Sequence, residues 1–345
     1  MFGFGDSLSD TGNMLIALEA QNASQIPIQG ALPYGETFFH RPVGRFSDGR
    51  LFVDFLVEKL GASNYLQPSF ALLYQNRNTT QGSPRNLVNF AMAGATALSA
   101  EFFNATFNIT PYSSYSLAMQ LQGLSNITSF RDTEALSRAL IFFGEIGGND
   151  YNYAFGNRVP LDRIHDLIPN VITQIKSALQ TMVDNGIQHF VVQSAYPMGC
   201  IPLYKKTYAN ATRDAYGCLQ DINTVVHQHN MLLSELVDNL TVHYNNSVQF
   251  ILLDSNKAFM EIYSNPPQYG FTYRERPCYD ISDYFLDLQT NITGVQACAD
   301  PSSHMIWDGP HPTEAMSKAV FNLFSTQDYV KPYPNFLTSN SRVIV

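Results

Sequence analysis

Short apolar runs alternate with longer amphipathic stretches along most of this chain. Five runs have the length and composition of buried strands: 2–4, 87–90, 139–143, 189–193 and 248–253. Apolar residues recur at helical spacing in 50–60, 117–124, 161–185, 221–239 and 313–324. Strands that alternate with helices in this way predict an α/β fold with a parallel sheet covered by helices on both faces.

The same pattern predicts one domain over residues 1–345. No repeat of 20–50 residues, Gly/Ser linker or low-complexity segment divides the sequence. Residues 265–303 interrupt the alternation, because they are rich in Pro, Tyr and Asp and contain two cysteines. We expect this stretch to be a long loop insertion held by a disulfide.

Composition narrows the classes of partner. The chain is 45% hydrophobic and only 14% charged, with a formal net charge of −9. An acidic balance without a long Lys/Arg block argues against nucleic acid and anionic membranes as partners. The longest apolar run, 139–143, is far shorter than the stretch of at least about 18 residues that a membrane helix needs. The pattern therefore predicts no integral membrane segment, and it gives no information on oligomeric state.

The asparagine and cysteine patterns indicate the cellular compartment in which the protein resides. Nine Asn-x-Ser/Thr sequons are candidate glycosylation sites: Asn22, Asn78, Asn104, Asn108, Asn126, Asn210, Asn239, Asn245 and Asn291. The chain has four cysteines, and their spacing is not that of a metal-binding motif: Cys200, Cys218, Cys278 and Cys298. Four cysteines can pair into disulfides in three ways, and the alternative is reduced thiols in a cytosolic protein. We predict a secreted or vacuolar glycoprotein in which sugar supplies the solubility that charge does not. The chain starts without a charged stretch followed by an apolar one, so we expect a secretory signal to have been removed.

Ligands bind beyond the carboxyl ends of parallel strands, so the residues after each strand are candidates for chemistry. Ser7 follows the first strand, where its hydroxyl and N–H could face a reacting carbonyl. Taken alone, however, a helix N-cap is the commoner use of serine at such a position. Gly94 follows the second strand and would let the backbone approach a ligand, or simply pack tightly. Asn149 follows two glycines after the third strand, and it could donate to an oxyanion or form a common turn.

Two further candidate residues lie close together near the end of the sequence. Asp308 and His311 stand three residues apart in a Gly/Pro turn. A carboxylate at this spacing can accept a hydrogen bond from one imidazole nitrogen and leave the other nitrogen as a base. The alternative is a proline-bounded loop before a helix, capped by Thr313 or Asp308. Two other histidines, at 227 and 229, lie in a helical pattern, and we predict them to be surface residues.

Several familiar signatures are missing from the sequence. It contains no G-x-S-x-G elbow, which argues against an ordinary α/β-hydrolase, and no H-E-x-x-H, P-loop or G-x-G-x-x-G. The candidate chemistry needs neither a metal nor an organic cofactor.

Seven short blocks follow one another along the chain: FGDSLSDTGN at 4–13, PYGETFF at 33–39, GRFSDGR at 44–50, NFA at 89–91 with Gly94, GGND at 147–150, YPMGC at 196–200 and DGPH at 308–311. In this order they resemble the blocks of the plant-type GDSL esterase/lipases of the SGNH hydrolase superfamily. The resemblance runs through nearly the full length. One departure is that Ala93 precedes Gly94, where the family more often has two adjacent glycines.

The resemblance implies a flavodoxin-like three-layer α/β/α sandwich with a five-stranded parallel sheet. It implies that Ser7 is a nucleophile completed to a triad by Asp308 and His311. It further implies an oxyanion hole formed by the Ser7 N–H, Gly94 and Asn149, and a disulfide between Cys200 and Cys218.

The activity implied is that of a serine-dependent carboxylic ester hydrolase. Its substrates would be small or medium acyl esters of plant specialised metabolites or lipids, cleaved through an acyl-enzyme. An acyltransferase that passes the acyl group to an alcohol with the same triad is the first alternative, and a secreted glycoprotein that binds ligands without catalysis is the second. Tyrosines at 112, 273, 279 and 284 could line a pocket for ring-bearing esters, but packing explains them too, and we predict packing.

Overall fold

The computed structural model describes residues 1–21, 27–75, 86–127, 133–281 and 294–332. Its strands are β1 Phe2–Phe4, β2 Gln67–Pro68, β3 Val88–Asn89, β4 Leu140–Phe143, β5 His189–Gln193, β6 Gln249–Leu253 and β7 Val330–Lys331. Its helices are α1 Asn13–Ala20, α2 Phe52–Lys59, α3 Ser69–Gln75, α4 Ala100–Phe107, α5 Leu117–Ile127, α6 Thr133–Ser137, α7 Gly148–Gly156, α8 Leu161–Asp184, α9 Pro202–Thr207, α10 Gln220–His243, α11 Ser255–Ser264 and α12 Glu314–Leu323. None of the helices in these ranges combines the length and apolar character needed to cross a membrane.

Within the described residues the strands form one sheet in the order β2-β3-β1-β4-β5-β6-β7. All neighbours are parallel except β7, which runs antiparallel to β6. The five predicted strands are confirmed as β1, β3, β4, β5 and β6, so the α/β class is confirmed. The predicted number of five strands was too low, because β2 and β7 also join the sheet. Each of these edge strands has two residues, which is too short to show a periodic pattern.

Helices cover both faces of the sheet. Phe142 of β4 stacks on Phe52 of α2 with ring centroids 5.8 Å apart, and α2 packs against α12. Phe143 points to the opposite face, since successive strand residues alternate, and stacks on Phe4 of β1 at 6.3 Å. Phe90 stacks on Phe4 from the other side, and α5 lies against its ring. Because α5 packs on α8 and α8 on α10, the sheet is the middle layer of a sandwich.

The prediction that His229 is a surface residue was wrong. His229 lies on α10 with 1% of its surface exposed, and its Nδ1 forms a 2.8 Å hydrogen bond with the hydroxyl of Tyr151 on α7. The reason is helical periodicity, because Val225, Val226 and Leu233, three or four residues away, are buried on the same face. Burial lowers the pKa of His229 to about 4, so the imidazole is neutral near pH 7.

Each disulfide joins two cysteines that follow one another in the order of the four cysteines along the chain. Cys200 bonds to Cys218, as the resemblance implies, and Cys278 bonds to Cys298. The second bond lies in the predicted insertion, where the N–H groups of Cys278 and Tyr279 donate to the carbonyls at 306 and 307. The insertion is therefore attached to the segment that leads directly into Asp308. Tyr284, Asn291 and the rest of 282–293 lie outside the described residues, as do Asn22 and Asn78.

Candidate active site

Four segments meet at the carboxyl edge of the sheet. The turns after β1 and β3 carry Ser7 and Gly94, the start of α7 after β4 carries Asn149, and the loop before α12 carries Asp308 and His311. The strand pairing brings the first three of these segments together, because β1 lies between β3 and β4. Sequence positions some 300 residues apart are thus brought to one place, as the separation of 304 between Ser7 and His311 shows.

Ser7, His311 and Asp308 form a continuous hydrogen-bonded chain. The Nε2 atom of His311 lies 2.8 Å from Ser7 Oγ, and its Nδ1 lies 2.9 Å from both carboxylate oxygens of Asp308. Asp308 and His311 are buried, with 0% and 3% of their surface exposed, whereas Ser7 is half-buried. A carboxylate on Nδ1 keeps the proton there and leaves Nε2 as an acceptor facing the serine hydroxyl.

The turn that carries Ser7 is held by Asp10. Its buried carboxylate accepts hydrogen bonds from the N–H groups of Gly12, Asn13 and Met14 at 2.8, 2.6 and 3.1 Å, and from Ala93 at 2.8 Å. Three of these donors open α1, so the capping role considered for Ser7 belongs to Asp10. The fourth donor, Ala93, joins the turn after β1 to the turn that contains Gly94.

Two backbone donors near Ser7 remain available. Within the described residues, the N–H groups of Ser7 and Gly94 donate to no other protein group. Gly94 has a φ of 74°, a left-handed conformation that favours glycine. A side chain there would also displace Tyr112, because a Cβ on Gly94 would lie 2.6 Å from the ring of that tyrosine.

Asn149 is the third candidate donor and is held in one orientation. It lies in the first turn of α7, where its Nδ2 donates to Asp6 Oδ2 at 2.9 Å and to the Ala95 carbonyl at 3.1 Å. Its Oδ1 accepts from Asn152 Nδ2 at 2.9 Å. Both amide hydrogens are therefore engaged, and the amide must exchange or share one of these partners when it donates to another group.

Comparison with known proteins gives the family. The model of the GDSL-like lipase/acylhydrolase family matches residues 1–324. This chain belongs to that family. It is similar to three GDSL esterase/lipases of Arabidopsis thaliana at 36%, 36% and 37% identity, over 96%, 93% and 91% of this chain and 85%, 82% and 82% of those relatives. Membership makes it a carboxylic ester hydrolase of the GDSL type.

Tyr34 is a site residue of this GDSL protein to which sequence reasoning assigned no role. Its hydroxyl donates to Asp308 Oδ2 at 2.7 Å, and the residue is 1% exposed. The rings of Phe46, Tyr279 and Trp307 meet Tyr34 edge-on at 6.2, 5.9 and 5.9 Å. Burial and the Asp308 charge raise the pKa of Tyr34 well above its usual value, so the phenol stays a donor. The PYGETFF block containing Tyr34 was the available signal, but a block match names no partner.

The GRFSDGR block fastens the His311 segment to the rest of the site. Asp48 Oδ1 accepts from the N–H of Glu314 at 2.7 Å, and Ser47 Oγ donates to the Pro312 carbonyl at 3.3 Å. Arg50 reaches the Glu314 carboxylate with its guanidinium, also at 2.7 Å. His311 is one residue before Pro312, so these bonds fix the backbone that presents its imidazole.

Beneath Asn149 lies a pair of buried carboxyl groups, Asp6 and Glu145. Burial and the neighbouring Glu145 raise the pKa of Asp6 well above its ordinary value, and burial also raises the pKa of Glu145. Glu145 accepts from the Gly148 N–H at 2.7 Å, and Asp6 accepts from the Leu8 N–H at 2.9 Å. The raised pKa values favour a proton on this pair, and the pair links the Ser7 turn to the start of α7.

Cys278, Cys298 and His304 place potential metal-ligand atoms within 4.8 Å of one another. The two sulfurs are joined in a disulfide, which removes the thiolates that would bind a metal. The imidazole of His304 instead stacks on Tyr273 with ring centroids 4.3 Å apart.

Proposed function

We propose that this GDSL protein hydrolyses small or medium acyl esters of plant specialised metabolites or lipids, with Ser7, His311 and Asp308 as its catalytic triad. The observation that carries the proposal is the hydrogen-bonded chain from Ser7 Oγ through the imidazole to the buried carboxylate, at 2.8 and 2.9 Å. Its location at the carboxyl edge of a parallel sheet, on a half-buried serine, adds support.

The first step is acylation of the serine. Ser7 Oγ attacks the ester carbonyl carbon while His311 Nε2 takes the hydroxyl proton. Asp308 accepts a hydrogen bond from Nδ1 of the resulting imidazolium, so the positive charge on His311 forms next to a carboxylate. Collapse of the tetrahedral intermediate breaks the ester C–O bond, and the leaving alcohol takes the proton from Nε2.

The negative oxygen of the tetrahedral intermediate needs donors that point at it. We assign this role to the N–H groups of Ser7 and Gly94 together with Asn149 Nδ2. The two N–H groups make no competing bond among the described residues, and Asn149 is kept in orientation by Asn152. Each such donor contributes roughly a hundredfold in rate.

In the second step water attacks the acyl-enzyme, with His311 as the base and then the acid. The products are a carboxylic acid and a regenerated serine. An alcohol that attacks instead would turn the same intermediate into an ester, and the test below separates these two outcomes.

The test uses p-nitrophenyl acetate, butyrate and octanoate with the wild type and the Ser7→Ala variant. We expect the wild type to release nitrophenol and free acid, fastest with the shorter esters, and the variant to lose at least about a thousandfold in kcat while its circular dichroism is unchanged. Adding an alcohol acceptor should leave free acid as the main product. Activity retained by the variant would overturn the triad, and ester as the main product would make the protein an acyltransferase.

We also propose that the protein passes through the secretory pathway and carries glycans. Two disulfides support an oxidising compartment. The six sequon asparagines within the described residues are all exposed: Asn104, Asn108, Asn126, Asn210, Asn239 and Asn245. Mass spectrometry of the protein from its native source should find sugar on these asparagines, whereas bare asparagines and free thiols would contradict the proposal.

A further inference from the structure

Tyr112 lies beside the proposed oxyanion hole with most of its surface open. A Cβ on Gly94 would lie 2.6 Å from Tyr112 Cε2 and 2.7 Å from its hydroxyl oxygen, so the phenol end of the ring rests on the Gly94 backbone. Even so, 60% of the Tyr112 surface is exposed. An aromatic ring gains stability by burying its faces, and most of the Tyr112 surface is left available to a ligand.

The ring of Tyr112 contacts Tyr153 on one side while most of the residue stays exposed. The rings of Tyr112 and Tyr153 meet with centroids 5.2 Å apart at 64°. Tyr153 in turn donates its hydroxyl to the Gly94 carbonyl at 3.2 Å and accepts the Ser113 N–H at 3.4 Å. Tyr112 is thus anchored to the same short segment that carries Gly94, and its ring is held next to the proposed donor.

We propose that Tyr112 is a specificity-determining residue whose exposed ring favours esters that carry a flat aromatic group beside the reacting carbonyl. This inference rests on the proposed function, because it takes Gly94 as a donor to the carbonyl oxygen. A carbonyl bound there brings its acyl or alcohol substituent within reach of the Tyr112 ring. Aromatic rings prefer offset-stacked or edge-to-face contacts, which a puckered saturated ring of the same carbon number cannot make equally well.

Two matched pairs of esters test this selection. On the acyl side, p-nitrophenyl benzoate is compared with p-nitrophenyl cyclohexanecarboxylate, and on the alcohol side, benzyl acetate with cyclohexylmethyl acetate. The measured quantity is the flat-to-puckered ratio of kcat/KM for each pair. We expect the wild-type ratio to fall roughly three- to tenfold in Tyr112→Ala for at least one pair, as the loss of one aromatic contact predicts.

Three further variants test whether the aromatic ring of Tyr112 causes the effect. Tyr112→Leu keeps bulk without aromaticity, so its ratio should fall as in Tyr112→Ala, and Tyr112→Phe keeps the ring, so its ratio should stay at the wild-type value. Tyr216→Ala removes a tyrosine that is 48% exposed in the loop closed by Cys200–Cys218, and it should leave the ratios unchanged.

The outcomes separate this inference from the proposed function. Wild-type ratios in both Tyr112→Ala and Tyr112→Leu would overturn the selection by Tyr112. A fall in Tyr112→Phe as large as in Tyr112→Ala would place the effect in the hydroxyl and overturn the role of the ring. The proposed function is judged separately, because it fails if the wild type releases no more free acid from p-nitrophenyl acetate than Ser7→Ala does, whatever the flat-to-puckered ratios show.

Discussion

Two residues, His311 and Tyr34, donate hydrogen bonds to the carboxylate of Asp308. Tyr34 donates to Oδ2 at 2.7 Å, while His311 Nδ1 lies 2.9 Å from both oxygens and the His311 N–H donates to Oδ1 at 3.1 Å. Tyr34 therefore holds the Asp308 carboxylate in one orientation against the imidazole, which makes it a positioning residue.

Replacing Tyr34 with phenylalanine tests this positioning role. Hydrogen bonds to charged groups contribute about 1.5–3 kcal/mol, so Tyr34→Phe should lower kcat by roughly ten- to a hundredfold with little change in KM. The pH at which activity falls off on the acid side should also move, because the carboxylate that stabilises the imidazolium is altered.

Tyr279→Phe is the matched control for Tyr34→Phe. It removes a hydroxyl from the ring that meets Tyr34 at 5.9 Å and should keep the wild-type rate and pH profile. Wild-type kcat together with an unchanged pH profile in Tyr34→Phe would show that the hydroxyl only fills space.

At the scale of elements, the GRFSDGR block and α2 act as one support for the site. Arg45 bonds to Asp54 through two nitrogens at 2.8 and 2.7 Å, and the two residues are 5% and 0% exposed. Asp54 also accepts the N–H of Leu51 at 2.9 Å, which caps the start of α2. The buried ion pair thus connects the loop at 44–50 to the helix that follows it.

Breaking this pair should destabilise the whole fold. In Asp54→Ala the Arg45 charge is left buried without its partner, and such losses reduce the free energy of unfolding by about 3–5 kcal/mol. The surface pair between Lys331 and Asp238, which are 64% and 53% exposed, gives a matched control, since Asp238→Ala should cost less than about 1 kcal/mol. Urea unfolding followed by circular dichroism measures both, and equal effects of the two substitutions would refute the account of this element.

Helices and strands with a clear hydrophobic periodicity could be predicted from the sequence. Elements that exist only because of their contacts with neighbouring strands could not. The five central strands and the long helices α8 and α10 were predicted because they repeat a pattern over several residues. The edge strands β2 and β7 are set by their neighbours in the sheet, so their own two residues carry no signal.

At the site, the sequence predicted which residue types follow each strand, but not the partners that hold them. Ser7, Asp308 and His311 were candidates from their turns, whereas the Tyr34 hydroxyl on Asp308 depends on a contact between residues 274 positions apart. The same holds for Tyr112, which we expected to pack but which is largely exposed beside Gly94. A tyrosine's environment is set by the tertiary fold, and local sequence does not encode it.

Across the whole molecule, buried carboxyl groups make stability depend on pH. Burial raises the pKa of Asp10 to about 6 and that of Asp150 to about 7, and it also raises the pKa of Glu145. Between about pH 4 and 7 the native state retains protons that the unfolded chain has released, so these groups stabilise the fold most below about pH 4, and this stability is lost as pH rises to about 7. His229 acts in the opposite direction, since its pKa of about 4 makes stability fall as pH drops below its unfolded value.

Burial also raises the pKa of Asp6 and Asp48, and it lowers that of His304 as well as that of His229. The buried carboxyl groups with raised pKa values outnumber these two histidines, so we expect a higher melting temperature at pH 5.5 than at pH 8. Scanning calorimetry of the wild type and of Asp150→Asn checks this, and the variant should show a smaller difference between the two pH values. A melting temperature that is equal or higher at pH 8 in the wild type would contradict the linkage. Greater stability in mild acid would also suit the vacuolar or secreted location that we propose.

The most direct test of the central claim is to find the nucleophile chemically. An alkyl fluorophosphonate reacts with a serine only when a neighbouring base activates it, so the active protein should gain the mass of a single adduct and lose its esterase activity in step. Peptide mapping should place that adduct on Ser7, and the Ser7→Ala variant should gain none. An adduct on another residue, or full activity after labelling of Ser7, would contradict the catalytic role of Ser7 and with it the triad.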